Sequence, residues 1–319
     1  RRHRRRPPVS GLLHPVRGLA ARLSAGALLA WGPYAAGVWR DAVRPPRRGM
    51  AWALAQGLPT SPGDLGLAFE ERTVRGPEAS VPGWWVTGRG PADGPTVILV
   101  HGHGRSRWDS LRRIGPWVER SPLVILIDLR GHGDAEGHST LGRREHMDLE
   151  AVVAEAERRR PGAPVELVGH SLGAVVAIRT AARRAAAGAP LAAVHAFGPY
   201  EWTRTPLEAR LRARGLPARP ASDLALALAA RRWGPEEPTS VAAAALGTTR
   251  LEAGAVRVDD VSPVDDAHAS AARAPGALIT VTEGVAHADL GVPEAAAGRT
   301  GTSSRRPSPA PPPAPPTAA

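Results

Sequence analysis

Val165-Glu-Leu-Val-Gly-His-Ser-Leu-Gly173, running on into Ala174-Val-Val-Ala-Ile178, is the stretch that decides how this chain is read. A short apolar run leads into Gly-x-Ser-x-Gly and then into a small-residue helical pattern, the order of a strand, a sharp turn and a helix with Ser171 at the tip. Such a turn strains the backbone at the serine and leaves no room for side chains at Gly169 and Gly173. In a chain with 35 Gly the five-residue match alone carries little weight. The flanking strand and helix give it force.

Outward from this stretch, short apolar runs alternate with helical patterns, the signature of a mostly parallel sheet with crossover helices on both faces. Strands are predicted near Ala68–Arg75, Val81–Thr87, Thr96–His101, Leu123–Asp128, Val165–Gly169, Ala192–Phe197, Gly254–Val258 and Ala277–Thr282. Helices are predicted at Arg107–Glu119, Arg143–Arg160, Leu172–Ala187 and Ala267–Ala274. The runs Val97–Val100 and Leu123–Ile127 are continuously apolar, as central parallel strands are when helices cover both sides. Two further helical patterns, Pro206–Gly215 and Ser222–Trp233, break the rhythm and predict a small cap at about 200–245, where Trp202, Leu207, Leu211 and Trp233 offer an apolar acyl surface or simply pack the cap down.

At 319 residues and 43% hydrophobic content, the chain is long enough to bury a full core. Cysteine is absent, which excludes a disulfide framework, thiolate catalysis and zinc–thiolate sites. All 41 basic residues are arginine, a bias that reads as a property of the source genome rather than of function. Of the net charge of +11, the first 48 residues supply +10 and the tail from Arg299 +3, which leaves the remainder at −2. The central part is therefore not basic, and nucleic acid is not an expected partner.

The N-terminal 1–49 is an arginine-rich extension around an uncharged run, Leu23–Trp39. Three readings compete for that run: a signal-anchor helix giving membrane attachment, an interfacial or partner-bound helix, and a disordered extension. Localisation is accordingly membrane-associated or cytoplasmic. Because the chain begins with Arg rather than Met, a truncated or processed product is expected. The central domain is placed at 50–298, and 299–319 is a Pro/Ala-rich tail expected to be disordered.

Acyl transfer through serine needs a nucleophile, a base, an acid that orients the base, and donors for the oxyanion. After the strand Thr96–Val100 comes His101-Gly-His-Gly104, whose glycines let the backbone turn so that the His103 N–H faces a cavity. With the N–H of Leu172 it makes a candidate two-donor oxyanion hole. Dinucleotide and phosphate-loop readings of that turn fail for want of a third glycine and a lysine.

His101-Gly-His-Gly104, Asp128-Leu-Arg-Gly-His-Gly133 and Gly169-His-Ser-Leu-Gly173, each after a strand and in this order, resemble the α/β-hydrolase superfamily. Thr60–Leu67 leading into Gly83-Trp-Trp85 is similar to the serine-aminopeptidase-like branch of bacterial hydrolases, several of which carry an N-terminal membrane segment. The resemblance covers about residues 60 to 290 and implies an α/β fold with a mostly parallel eight-stranded sheet, no cofactor, no metal and a small-molecule acyl substrate. It implies the order Ser, Asp, His, which makes His287, after the last strand, the base. Asp259 is the acid because the family spacing puts a proline, here Pro263, four residues after it; the adjacent Asp260 is its rival. The strand expected before Asp259 looks short and is interrupted by Arg257. That weakness leaves open a non-catalytic binding protein, and nothing in the sequence separates an acyltransferase from a Ser-His-Asp hydrolase of esters, thioesters or amides. His132 reads as structural, His195 as packing within a strand, and His268 and His138 as bystanders. A metal at His101, His103, His132, Asp128 and Asp134 is disfavoured by their spacing.

Overall fold

The computed structural model describes residues 31–292 and the short strand Ser303–Arg305. Helix α1 occupies 31–43 and α2 Met50–Ala55. Strands β1 (Phe69–Arg75), β2 (Ser80–Thr87), β3 (Thr96–Val100), β4 (Leu123–Ile127), β5 (Val165–His170), β6 (Ala193–Phe197), β7 (Arg250–Val256), β8 (Leu278–Thr282) and β9 (Ser303–Arg305) form one open sheet in the order β1-β2-β4-β3-β5-β6-β7-β8-β9. From β4 through β8 the neighbours run parallel; β1 and β2 at one edge and β9 at the other are antiparallel.

Between the strands lie α3 (Arg107–Ser110), α4 (Gly115–Arg120), α5 (Glu145–Arg159), α6 (Leu172–Ala186), α7 (Arg204–Ala213), α8 (Ala221–Trp233), α9 (Thr239–Ala244) and α10 (Val264–Arg273). The single helix expected over Arg107–Glu119 is instead two short helices joined by a 3-10 turn, Leu111–Arg113. Gly115-Pro116 breaks it, since Pro116 has no N–H to give back to the preceding turn.

Strand pleating sends alternate residues to the two faces, and both faces are covered. Ile98 and Val100 of β3 join Leu149, Val152 and Val175 on the side of α5 and α6. Val97 and Leu99 join Trp84, Trp108 and Ile114 on the other side. β3 and β4 are buried along their whole length, which is why their one polar side chain is Thr96, at the start of β3 and bonded to Arg160.

A third cluster lies away from the sheet. Ala35, Val38 and Ala42 of α1 pack with Leu207 and Leu211 of α7 and with Ala221, Ala225 and Ala229 of α8. Small residues on α1 and α8 let the helices approach, and Trp39 stacks on Trp233 with ring centroids 5.5 Å apart. Part of the uncharged run Leu23–Trp39 therefore covers the cap; its first eight residues lie outside the described region. Among the described residues no helix is long and apolar enough to cross a membrane, so the anchor reading finds no span there. The tail expected to be disordered lies outside the described residues except for β9.

Candidate active site

Ser171 stands between β5 and α6 with φ 54° and ψ −116°, a conformation that costs a non-glycine residue about 1–3 kcal/mol. The surroundings enforce it. Its N–H donates to the Phe197 carbonyl at 2.7 Å. A Cβ on Gly173 would lie 2.2 Å from the Val100 carbonyl oxygen, and one on Gly169 would lie 2.3 Å from the Gly173 oxygen. Backbone meets backbone at both places, so neither clash can be relieved by a rotamer change. Gly173→Ala is expected to destabilise the fold by at least about 3 kcal/mol, at the top of the overpacking range. Thermal unfolding checks this, and a melting temperature within a degree or two of the parent would contradict it.

His287 lies in a short 3-10 turn after β8, and its Nδ1 is 2.6 Å from Oδ2 of Asp259. The Asp259 side chain is 2% exposed, and its other oxygen accepts the N–H groups of Val261 and Ser262 at 2.8 and 3.0 Å. A carboxylate brings no proton, so Nδ1 of His287 carries the hydrogen and Nε2 is left as an acceptor. Asp260, the rival acid, is exposed. The acid loop is tied to the exit of β6 by Ser262 Oγ, which donates to the Pro199 carbonyl at 2.6 Å. The strand that delivers Asp259 is not degenerate. β7 starts at Arg250, four residues before the expected Gly254, and Arg257 lies beyond its end.

Ser171 and His287 line one cavity of about 880 Å³ together with Gly102, His103, Leu207, Leu211 and residues of α1. The Leu172 N–H, at the first position of α6, has no intrahelical acceptor, and the His103 N–H is taken by no other backbone carbonyl among the described residues. Of the four residues expected to offer an apolar surface, Leu207 and Leu211 reach this cavity. Trp202 is 44% exposed and Trp233 is spent on Trp39, so these two pack or cover the cap instead.

The side chain of His103 does structural work. Arg210 of α7 donates to its Nδ1 at 2.8 Å, which leaves Nε2–H to donate to the Ala42 carbonyl of α1 at 2.7 Å. The loop bearing one candidate oxyanion donor is thus clamped between α1 and the cap. His101 donates from Nδ1 to the Gly102 carbonyl and accepts the Leu129 N–H at Nε2. His132 is fully buried with Nδ1 on the Arg130 carbonyl, in keeping with a structural role. The rings of His101 and His103 do lie 5.1 and 5.4 Å from that of His132, yet both nitrogens of His101 and of His103 are committed elsewhere. Among the described residues no group of three or more His, Cys, Asp or Glu could hold a metal ion.

Burial holds these imidazoles neutral, pushing His101 down to about 4 and His132 to about 3, and lowering His103 and His170 well below the usual range. A histidine depressed in the fold stabilises fully above its unfolded pKa of about 6.5, and that stability is lost as pH falls below it. Each such group contributes a slope of up to about 1.4 kcal/mol per pH unit. Asp128, pushed up to about 6 by burial, has the opposite sign and offsets one histidine below that pH. The melting temperature should therefore fall between pH 7 and pH 5; a flat or rising profile would contradict the buried neutral set.

Three residues that brace the candidate site are not singled out by the sequence reading. His170, the residue before the serine, is bonded through Nε2 to the His287 carbonyl at 2.8 Å. Arg113 donates to the carbonyls of Ala288 and Leu290 at 2.5 and 3.1 Å, bracing the same loop. Arg210 is the third. Only the local pattern of Gly-x-Ser-x-Gly could have hinted at His170. His195 sits in β6 between Glu166 and Glu252, at 3.0 and 2.9 Å, remote from Ser171; His268 and His138 are exposed.

The sheet order and the strained serine after β5 are those of the α/β-hydrolase fold. Residues 92–243 match the family described as serine aminopeptidase, S33. The chain is similar to the magnesium-chelatase 30 kDa subunit of Rhodobacter capsulatus, 33% identical over 101 residues, covering 31% of this chain and 34% of that protein. It is also similar to the monoglyceride lipase of Homo sapiens, 33% identical over 101 residues, covering 30% of this chain and 33% of that one. The chain thus spans about a third of the length of these curated relatives. An esterase structure from Pyrococcus furiosus superposes with a TM-score of 0.59 at 21% identity, covering 77% of this chain and 90% of that one.

Proposed function

We propose that the protein is a serine hydrolase that cleaves a carboxylic ester, or a related thioester or amide, through an acyl-enzyme. The observation that carries this reading is the Asp259–His287 pair at 2.6 Å, with His287 and the strained Ser171 on one cavity wall. His287 Nε2 takes the Ser171 Oγ proton as Oγ attacks the carbonyl carbon. The oxygen that gains charge is held by the N–H groups of His103 and Leu172. His287 returns the proton to the leaving alcohol, and water, deprotonated by the same nitrogen, then cleaves the acyl–Ser171 bond.

The names of the relatives, a lipase and an esterase among them, agree with ester chemistry. The motive for a non-catalytic reading was a weak strand before Asp259, and β7 is a full strand of seven residues. A fluorophosphonate probe tests the reading directly: the parent should be labelled covalently and Ser171→Ala should not. Labelling that survives the substitution, or a parent that does not label, would overturn it.

A further inference from the structure

The same cavity carries more positive charge than its walls neutralise. Arg48, Arg105, Arg210 and Arg214 line it. Arg48 and Arg105 share a single oxygen of Asp109, at 2.8 and 3.0 Å. Arg214 meets Asp41 of α1 at 3.4 Å, with both side chains more than half exposed. Arg210 has no carboxylate partner among the described residues, and its one hydrogen bond goes to the neutral ring of His103. Four guanidiniums thus answer to two carboxylates, and the one left without an acid is the one that touches the oxyanion loop.

A guanidinium removed from water without a counter-charge is costly, and its planar fork of donors matches a carboxylate or phosphate better than any neutral group. Burial lowers the pKa of Arg210 from its ordinary value, the direction expected for a cation that has lost water. An incoming anion would restore the missing partner. Beside Arg210, Leu207, Leu211 and Val38 give the cavity apolar walls for a short carbon chain.

We propose that the cavity selects an ester whose acyl part carries a negative charge, a carboxylate or a phosphate-like group, and that Arg210 pairs with it. The inference rests on the serine-hydrolase reading for the chemistry, but not for the binding. Arg210 is bonded to the ring of the residue whose N–H would hold the oxyanion, so the negative group lies only a few bonds from the scissile carbonyl. Uncharged long-chain esters lack the group that this wall is built to meet.

The test compares the mono-phenyl ester of glutaric acid with its neutral carboxamide analogue, and adds phenyl 3-phosphonopropanoate to separate a carboxylate from a phosphate-like preference. The parent should favour at least one anionic ester over the carboxamide by about tenfold in kcat/KM, the worth of one charge-assisted hydrogen bond. In Arg210→Gln that ratio should fall to about one, mainly through KM for the anionic ester. A parent ratio of one or less overturns the proposal. So does an Arg210→Gln variant that loses the same factor on charged and neutral esters, because that pattern belongs to a residue that only holds His103. Binding is read apart from turnover and from the fold of the Arg210 variant: in Ser171→Ala protein, glutarate should raise the melting temperature more than the uncharged diamide glutaramide does. Equal shifts would overturn the anion site. If no ester is hydrolysed while glutarate still binds selectively, the hydrolase reading fails and the anion site stands.

Discussion

Ser171→Ala is expected to lower kcat for an activated ester by roughly 10⁴- to 10⁶-fold while leaving the melting temperature close to that of the parent. The size follows from the two-step path, since without Oγ there is no acyl-enzyme and the remaining groups can only polarise the carbonyl for water. His287 and the two N–H groups would act on a bulk nucleophile, which is why some rate above the uncatalysed reaction survives. Stability should hold because the elbow is fixed by backbone contacts, the Ser171 N–H to Phe197 and the close approach of Gly173 to Val100, that alanine keeps. A rate within tenfold of the parent would remove Ser171 as nucleophile. A burst of released phenol before steady state, present in the parent and absent in the variant, would add the acyl-enzyme itself.

Local information made the elbow legible. Much of what shapes Ser171 is written in the residues from Val165 to Ile178, two of them glycines whose spacing can be counted, although the turn is also held by Phe197 and Val100 on neighbouring strands. β3 and β4 were legible for the same kind of reason, because burial on both faces leaves a continuous apolar run. The start of β7 was not legible, because its polar residues stand at the exposed end of the strand. Arg250 and Glu252 made its start look like a loop, yet Glu252 is bonded to His195 on the next strand, a partner 57 positions away in sequence. A half-buried charge is acceptable when paired, and pairing across strands leaves no trace in a one-dimensional pattern.

The N-terminal helix shows the same limit more strongly. Its Ala-, Gly- and Val-rich run has no visible partner in sequence, so composition alone leaves a membrane anchor, an interfacial or partner-bound helix and disorder in competition. In the fold its small residues lie against α7 and α8, Asp41 reaches Arg214, and Ala42 holds the ring of His103. Those contacts link residues more than 60 positions apart. What composition described as an appendage is, over residues 33–48, a wall of the candidate site. The N-terminal segment thus lines the cavity beside the cap.

Asp259→Asn should reduce kcat by roughly 10³- to 10⁴-fold with KM little changed, whereas Asp260→Asn should stay within about twofold of the parent. An asparagine at 259 can still accept the Val261 and Ser262 N–H groups through its carbonyl oxygen, so the loop retains its shape. It would then present NH₂ rather than an oxygen to Nδ1 of His287. That favours the tautomer with the proton on Nε2, which cannot take the serine proton. The loss is thus a matter of which ring nitrogen is free, and it falls on kcat because the substrate touches neither group. Asp260 is one residue away but exposed, so its charge is screened and its carboxylate orients nothing in the site. The pair of variants separates two adjacent acids that sequence spacing left in competition. A large loss in Asp260→Asn with near-normal rates in Asp259→Asn would reverse the assignment. Equal, small losses in both would mean that His287 works without an acid partner, and the 2.6 Å contact would then be a packing feature rather than part of a triad.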